Sequence, residues 1–302
     1  MSRFNKYFLP FVIAFFAFSA IHSQDFSNKG KEFWIPYSYH VGMGGGVGSN
    51  VAMTLYITSD VTTTYEVEIF GVATLQAGSI NAGQVVTCVV PNTNFITGSG
   101  LFTNKTVLVT AEKPVVVYSY ITQSAVSGAT VCLPTNVLGN EYYSMNYTQV
   151  SNSANSNSYF TIIAVEDNTT IEITPAAATT NGWTAGSVNT ITLNKGQIYQ
   201  VLGTVNNTPT GGLFSGVDLT GSKIRSVSSG SSSCKRIAVF SGAGKMRIGT
   251  NCGNSNSSDN LYQQLYPSGS WGRDYLTVPS YNRPNNFYRV MKKDPATNVY
   301  VN

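Results

Sequence analysis

Residues 159–175 read YFTIIAVEDNTTIEITP, and the fold turns on how this stretch is interpreted. Phe160, Ile162 and Ala164 fall on one side of an extended segment. Ile171 and Ile173 fall on one side of a second, with Thr170, Glu172 and Thr174 opposite. Alternation with a period of two on either side of a Glu-Asp-Asn-Thr turn predicts a β-hairpin. Related stretches lie upstream at residues 53–69 (MTLYITSDVTTTYEVEI) and downstream at residues 287–301 (FYRVMKKDPATNVYV).

The matches extend outward in order. A Gly-x-acid-aromatic opening occurs as Gly30-Lys31-Glu32-Phe33, Gly139-Asn140-Glu141-Tyr142 and Gly272-Arg273-Asp274-Tyr275. Pro134 and Pro267 each precede the later glycines by five residues. Asn81-Ala82-Gly83-Gln84 matches Asn194-Lys195-Gly196-Gln197, a tight turn whose glycine supplies a positive φ. The strand beginning Lys113-Pro114 matches the one beginning Lys235-Arg236. Ordered matches with slowly drifting offsets indicate a duplicated unit of about 110 residues with loop insertions.

This predicts an all-β protein of tandem sandwich-like units: residues 24–138, residues 139–271, and a truncated third copy over residues 272–302. A β-propeller, with two blades per period, is the alternative. The run from Val115 to Tyr120 suits a strand covered on both faces or at a sheet centre. Residues 151–158, 226–233 and 251–258 are Ser- and Asn-rich and predict exposed loops. One short helix is expected over residues 258–265, capped by Ser258 or Asp259.

Composition restricts function. Only 11% of the 302 residues are charged, and the net charge of +4 includes Arg3 and Lys6 of the N-terminal leader. Nothing in this scattered charge calls for nucleic acid. Residues 1–23 have the form of a cleaved secretory signal: a basic start, an apolar run over residues 7–21, then polar residues. That run is shorter than the ~20 residues needed to span a bilayer, so no membrane span is expected in the mature chain. Export permits disulfides. Cys88, Cys132, Cys234 and Cys252 allow three pairings, and repeat boundaries favour Cys88 with Cys132 and Cys234 with Cys252.

No catalytic constellation emerges. His40 is the single histidine after the leader and has no partner motif. Residues 42–50 (GMGGGVGSN) lack the Gly-Lys-Ser/Thr ending of a phosphate loop. Glu166 and Asp167 are adjacent carboxylates of the kind used in glycoside hydrolysis or calcium binding, but Asp is also ordinary turn chemistry. No metal or cofactor is called for. The candidate ligand contacts are Trp183, in a polar loop, and Asp218, which precedes a turn. Trp34 and Trp271 flank the repeat openings, where packing between units would use them.

Residues 160–175, 193–201 (LNKGQIYQV), 218–226 (DLTGSKIRS), 235–242 (KRIAVFSG) and 259–275 (DNLYQQLYPSGSWGRDY) together resemble the N-terminal domain of the IgG-Fc-binding protein family. The resemblance implies a secreted or surface-displayed adhesive module and a partner that is an extracellular protein or glycan. On the residues and the resemblance together, the chain reads as a non-enzymatic recognition module with its contacts on loops. A carbohydrate-active enzyme or accessory sugar-binding module is the alternative.

Overall fold

A computed structural model of the chain describes residues 27–43, 50–228, 230, 234–248, 257–282, 286 and 288–300. The expected leader, most of the glycine-rich loop and Cys252 lie outside these residues. The first half contains β1 (Gly30–Ile35), β2 (Ala52–Thr58), β3 (Thr63–Ile69), β4 (Ala73–Ile80), β5 (Val85–Val90), β6 (Gly100–Phe102), β7 (Val107–Gln123) and β8 (Val126–Val131). The second contains β9 (Glu141–Tyr143), β10 (Val150–Ser151), β11 (Ser158–Ala164), β12 (Thr169–Thr174), β13 (Asn189–Leu193), β14 (Ile198–Leu202), β15 (Val205–Thr210), β16 (Leu213–Gly216), β17 (Lys223–Val227), β18 (Ile237–Met246) and β19 (Asp259–Gln264). The protein is all-β, and every pairing is antiparallel.

The expected hairpin at residues 159–175 is not one. β11 pairs with β14 and β18, whereas β12 pairs with β13 and β17. The chain arches from one sheet to another. Phe160, Ile162 and Ala164 face Ile171 and Ile173 across a shared core. Alternation specifies which face is buried but not whether the partner lies beside the strand or opposite it. The upstream copy behaves alike: β2 pairs with β5 and β7, and β3 with β4 and β7.

β7 belongs to two sheets. Val107–Ala111 pairs with β3, and Val116–Thr122 pairs with β2. Pro114 sits between these registers, where its missing N–H breaks neither ladder. The strands therefore form sheet I, ordered β4-β3-β7-β1, and sheet II, ordered β5-β2-β7-β8. In the second half the order is β13-β12-β17-β9 in sheet IV and β14-β11-β18-β19 in sheet III. There β17 and β18 are separate strands, divided at the Lys235-Arg236 junction. β10, β16 and β15 form a small further sheet. Neither half has the sequential meander of a propeller blade.

Sheet III is the middle layer. Ile163, Ile198, Phe240 and Tyr262 on one face join Leu55 and Val117 of sheet II and Val67 and Val109 of sheet I in one core. Phe160, Ile162 and Val239 on its other face pack with Ile171, Ile173 and Ile224 of sheet IV. β6, from the first half, extends the edge of sheet III by pairing with β14.

The matched motifs have matched structural work. Gly83 and Gly196 adopt φ of 76° and 77°. Their N–H groups donate to the Ser59 and Ala164 carbonyls at the ends of the two arch approaches, each at 2.8 Å. Gly30 lies beneath Pro134, and a Cβ there would come within 2.1 Å of the proline ring; Gly139 lies likewise beneath Pro267, at 2.5 Å. Thr135 and Ser268, one residue after each proline, donate to the carboxylates of Glu32 and Glu141 at 2.9 and 2.8 Å. Each opening glycine is thus the seat for the proline that precedes the next opening.

Three further expectations are corrected. Residues 258–265 contain strand β19, not a helix: Asn260, Tyr262 and Gln264 alternate inward, and the strand pairs with β18. Residues 151–158 are not an open loop, because Ser151, Ser156, Asn157 and Ser158 are buried, with Asn157 donating to the Gly203 carbonyl at 2.8 Å. The downstream copy forms the turn at Asp294, with Thr297 N–H on its carbonyl at 3.0 Å, but no strand among its described residues. Tyr288, Val290, Val299 and Tyr300 are exposed.

Candidate functional site

The loop carrying Trp183 joins β12 to β13 and is closed at its base by Gly186 N–H donating to Pro175 O at 2.8 Å. Gly182 and Gly186, at φ of 87° and 76°, let it fold back on itself. The Thr179 hydroxyl donates to Asn181 Oδ1 at 2.6 Å and accepts from the Trp183 N–H at 3.0 Å. The Thr180 hydroxyl meets that of Ser99 at 2.6 Å, which ties the loop to the first half. It is a compact Ω-type loop held by its own polar side chains.

Trp183 stacks on Tyr199 of β14, with ring centroids 5.8 Å apart and planes 9° from parallel. Asn181 Nδ2 donates to the Tyr199 hydroxyl at 3.3 Å. The indole is half-buried, its inner side packed on the second core. A fixed aromatic pair beside an amide and several hydroxyls offers contact area whose side-chain entropy is already lost before a ligand arrives. The loop position of Trp183 was readable in the sequence. Its partner Tyr199 was missed: it is a strand residue whose half-exposed position follows only from the register.

Asp218 is already engaged. Its Oδ1 accepts from the Thr220 N–H at 2.9 Å and the Thr220 hydroxyl at 2.5 Å. Its Oδ2 accepts from Arg289 at 3.0 Å. That guanidinium also donates to Asn146 O at 2.7 Å and lies 4.9 Å from the Tyr147 ring centroid. Asp218 thus shapes a turn and clamps the C-terminal segment. No hydrogen bond or ring contact among the described residues joins it to Trp183. Asp167 accepts from the Lys195 N–H at 3.0 Å, and Glu166 O from the Thr169 hydroxyl at 2.7 Å, both as turn contacts.

A polar cleft of about 380 Å³ opens beside β9, lined by Glu141, Arg225, Cys234, Ser268 and Lys293 among others. Burial alone would raise the Glu141 pKa, but hydrogen bonds from Lys293, Ser268 and Lys223 hold it down at about 2. Arg225 is committed to Glu172 through Nε at 2.8 Å. Each of these charged groups is therefore paired, Glu141 with Lys293 and Lys223, and Arg225 with Glu172 outside the cleft. Glu141 was visible only as the acid of a repeat opening.

Cys88 and Cys132 do not pair as expected. Cys88 and Cys132 are buried free thiols, and burial pushes both up. One lies on β5 and the other follows β8, so β2 and β7 run between them. Three spacings of about 4.8 Å along a sheet exceed the ~7 Å limit between bridged Cα atoms. Cys234 is an exposed free thiol; its expected partner Cys252 lies outside the described residues. Trp34 is buried, donates to Glu32 at 2.8 Å and lies edge-on to Phe70, and Trp271 packs on Tyr143.

His40 is buried between the halves. Gly42 N–H donates to its Nδ1 at 3.0 Å, so the neutral ring carries its proton on Nε2, facing Val126 O at 3.3 Å. Burial lowers its pKa, opposed by the Val126 carbonyl and Asp259 and assisted by Lys245. A histidine depressed by folding contributes stability that is fully present above its unfolded value of about 6.5 and is lost as pH falls through that value toward the folded one. Wild type is expected to lose melting temperature as pH falls below about 6.5, relative to His40→Asn, whose Oδ1 keeps the acceptor without titrating. Parallel melting curves of the two proteins across that range would remove this role.

Among the described residues, no group of three or more His, Cys, Asp or Glu side chains could hold a metal ion. No helix among them is long and apolar enough to cross a membrane. Layered sheets, carboxylates engaged in turns and ion pairs, and an ordered aromatic loop define an all-β scaffold of the kind that presents binding surfaces. The chain belongs to the IgG-Fc-binding protein family: the family model described as IgGFc binding protein matches residues 128–302, more than half of its length. That family is one of protein-binding modules. No curated protein and no solved structure matches the chain.

Proposed function

We propose that the mature chain is an exported recognition module, secreted or displayed at a cell surface, that binds an extracellular protein or glycan without chemistry. Two β units, residues 24–138 and 139–271, form the scaffold, and residues 272–302 begin a third. The observation that carries the reading is the Trp183–Tyr199 stack, preset by the Thr179 and Asn181 hydrogen bonds on an otherwise polar loop. The repeated strand order supports the duplicated scaffold. Engagement of Asp167 and Asp218 in turn and clamp contacts favours binding over hydrolysis.

Residues 24–302 would be screened on a glycan array and against the IgG Fc fragment that the family description names. Saturable binding to one of these probes is the expected result. Turnover of a polysaccharide or protein substrate by the purified chain, abolished by Asp218→Asn or Glu166→Gln, would contradict the proposal.

A further inference from the structure

Sheets II and III are built alike in sequence. β2 (AMTLYIT), β5 (VVTCVV), residues 115–123 of β7 (VVVYSYITQ) and β8 (VSGATV) contain no charged residue. Sheet III carries charge only at the neighbouring ends of β18 and the edge strand β19, at Lys245 and Asp259. The exposed faces of sheets I and IV, in contrast, carry Glu66, Glu68, Glu172 and Arg225. A sheet without charge on either face is the signature of burial on both.

Sheet III meets that expectation. Its face bearing Ile163, Ala238 and Phe240 is covered by the first half of the same chain. Among the described residues no strand packs over the corresponding face of sheet II, which is partly to largely exposed. Tyr56 is 37% exposed, Tyr118 46%, Val85 61% and Val89 68%. Tyr56 and Tyr118 are directly paired across β2 and β7, and Tyr120 lies 6.5 Å from Tyr56, ring to ring. The result is a continuous Tyr-Thr-Val surface four strands wide.

We infer that this face of sheet II is a self-association surface, covered in solution by the same face of a second copy of the chain. Two arguments select a second copy. An isologous contact sets each patch against itself, which a charged patch resists, and this one opposes no like charges. The covered face of sheet III also shows that a sheet of this construction packs face to face on another from the same chain. Size sets the strength. Four strands about 4.8 Å apart and about seven residues long at ~3.3 Å each give a patch of roughly 450 Å² per copy. The two copies together bury about 900 Å², below standard stable interfaces and in the range of weak, transient ones, so a reversible dimer that forms only at high protein concentration is expected.

Sedimentation equilibrium of residues 24–302, from about 1 to 200 μM with reductant to keep exposed Cys234 from cross-linking, is the test. The expected result is a concentration-dependent dimer. Tyr118→Lys and Val89→Lys should each weaken it at least tenfold while leaving the circular dichroism spectrum and melting temperature near wild type. Trp183→Ala, on the other half, should leave it unchanged. A monomer at 200 μM would overturn the inference, as would a dimer indifferent to both lysines. So would a monomer whose sheet II face instead binds a glycan or another protein in a way that Tyr118→Lys abolishes.

Discussion

Phe240→Ala is expected to destabilise both halves together, by about 3–5 kcal/mol, the range for deleting a buried phenylalanine. Phe240 is fully buried on β18 and stacks on Tyr262 of β19 with centroids 5.8 Å apart. Those rings lie on the sheet III face that closes the core of the first half. Tyr262 in turn donates to Pro36 O at 2.7 Å and meets the Ser119 hydroxyl at 3.0 Å. A cavity at this point loosens packing on both sides of the boundary near residue 139. Differential scanning calorimetry should show one transition, shifted down as a whole. Two transitions, with only the later half affected, would mean that the halves fold independently and that the shared core contributes little.

Gly242→Ala should cost about 3 kcal/mol or more, beyond the usual overpacking range because the obstacle is backbone. Gly242 pairs with Tyr159 of β11 on one side and Tyr262 of β19 on the other. A Cβ there would lie 1.9 Å from Leu261 O and 2.8 Å from the Tyr159 hydroxyl. The buried Tyr159 hydroxyl uses that space to donate to Leu261 O at 2.9 Å. The methyl must separate β18 from β19 or expel the hydroxyl, and either leaves a buried polar group unpaired. A fall in melting temperature of roughly 5 °C or more is expected for a chain of this size. Gly269→Ala, with nothing within 4 Å of its would-be Cβ, serves as the control and should melt like wild type. Equal melting points for the two variants would contradict the close approach of β18 and β19.

These sites show what could be read from residue order alone. The alternating faces of residues 159–175 were legible, and both faces are buried as the pattern requires. Their arrangement was not, because a hairpin and an arch between sheets share one period of two. The Gly83 and Gly196 turns were legible down to the sign of φ, since Asn-x-Gly-Gln leaves few alternatives. The opening glycines were recognisable as a motif, but the reason for them, a proline packed from the next opening, is a long-range contact that local sequence does not encode. Residues 258–265 were misread because a short stretch with one cap residue looks helical until its strand partner is known. The run from Val115 to Tyr120 was legible as a strand covered on both faces or at a sheet centre, and it lies between β2 and β8 in the interior of sheet II; that only one of its faces is covered required coordinates. Trp183 was found as a lone aromatic in a polar loop. Tyr199 was hidden in a strand, and the pairing of Asp218 with Arg289 was not legible because the two are distant in sequence.

The central claim is that this scaffold recognises a partner through the preset aromatic loop rather than through chemistry. Surface plasmon resonance of wild type and Trp183→Ala, against the IgG Fc fragment or the glycan returned by the array, tests it most directly. The account predicts at least tenfold weaker binding for Trp183→Ala, carried mainly by faster dissociation, with a melting temperature within a few degrees of wild type. Unchanged affinity in a folded Trp183→Ala protein would contradict it.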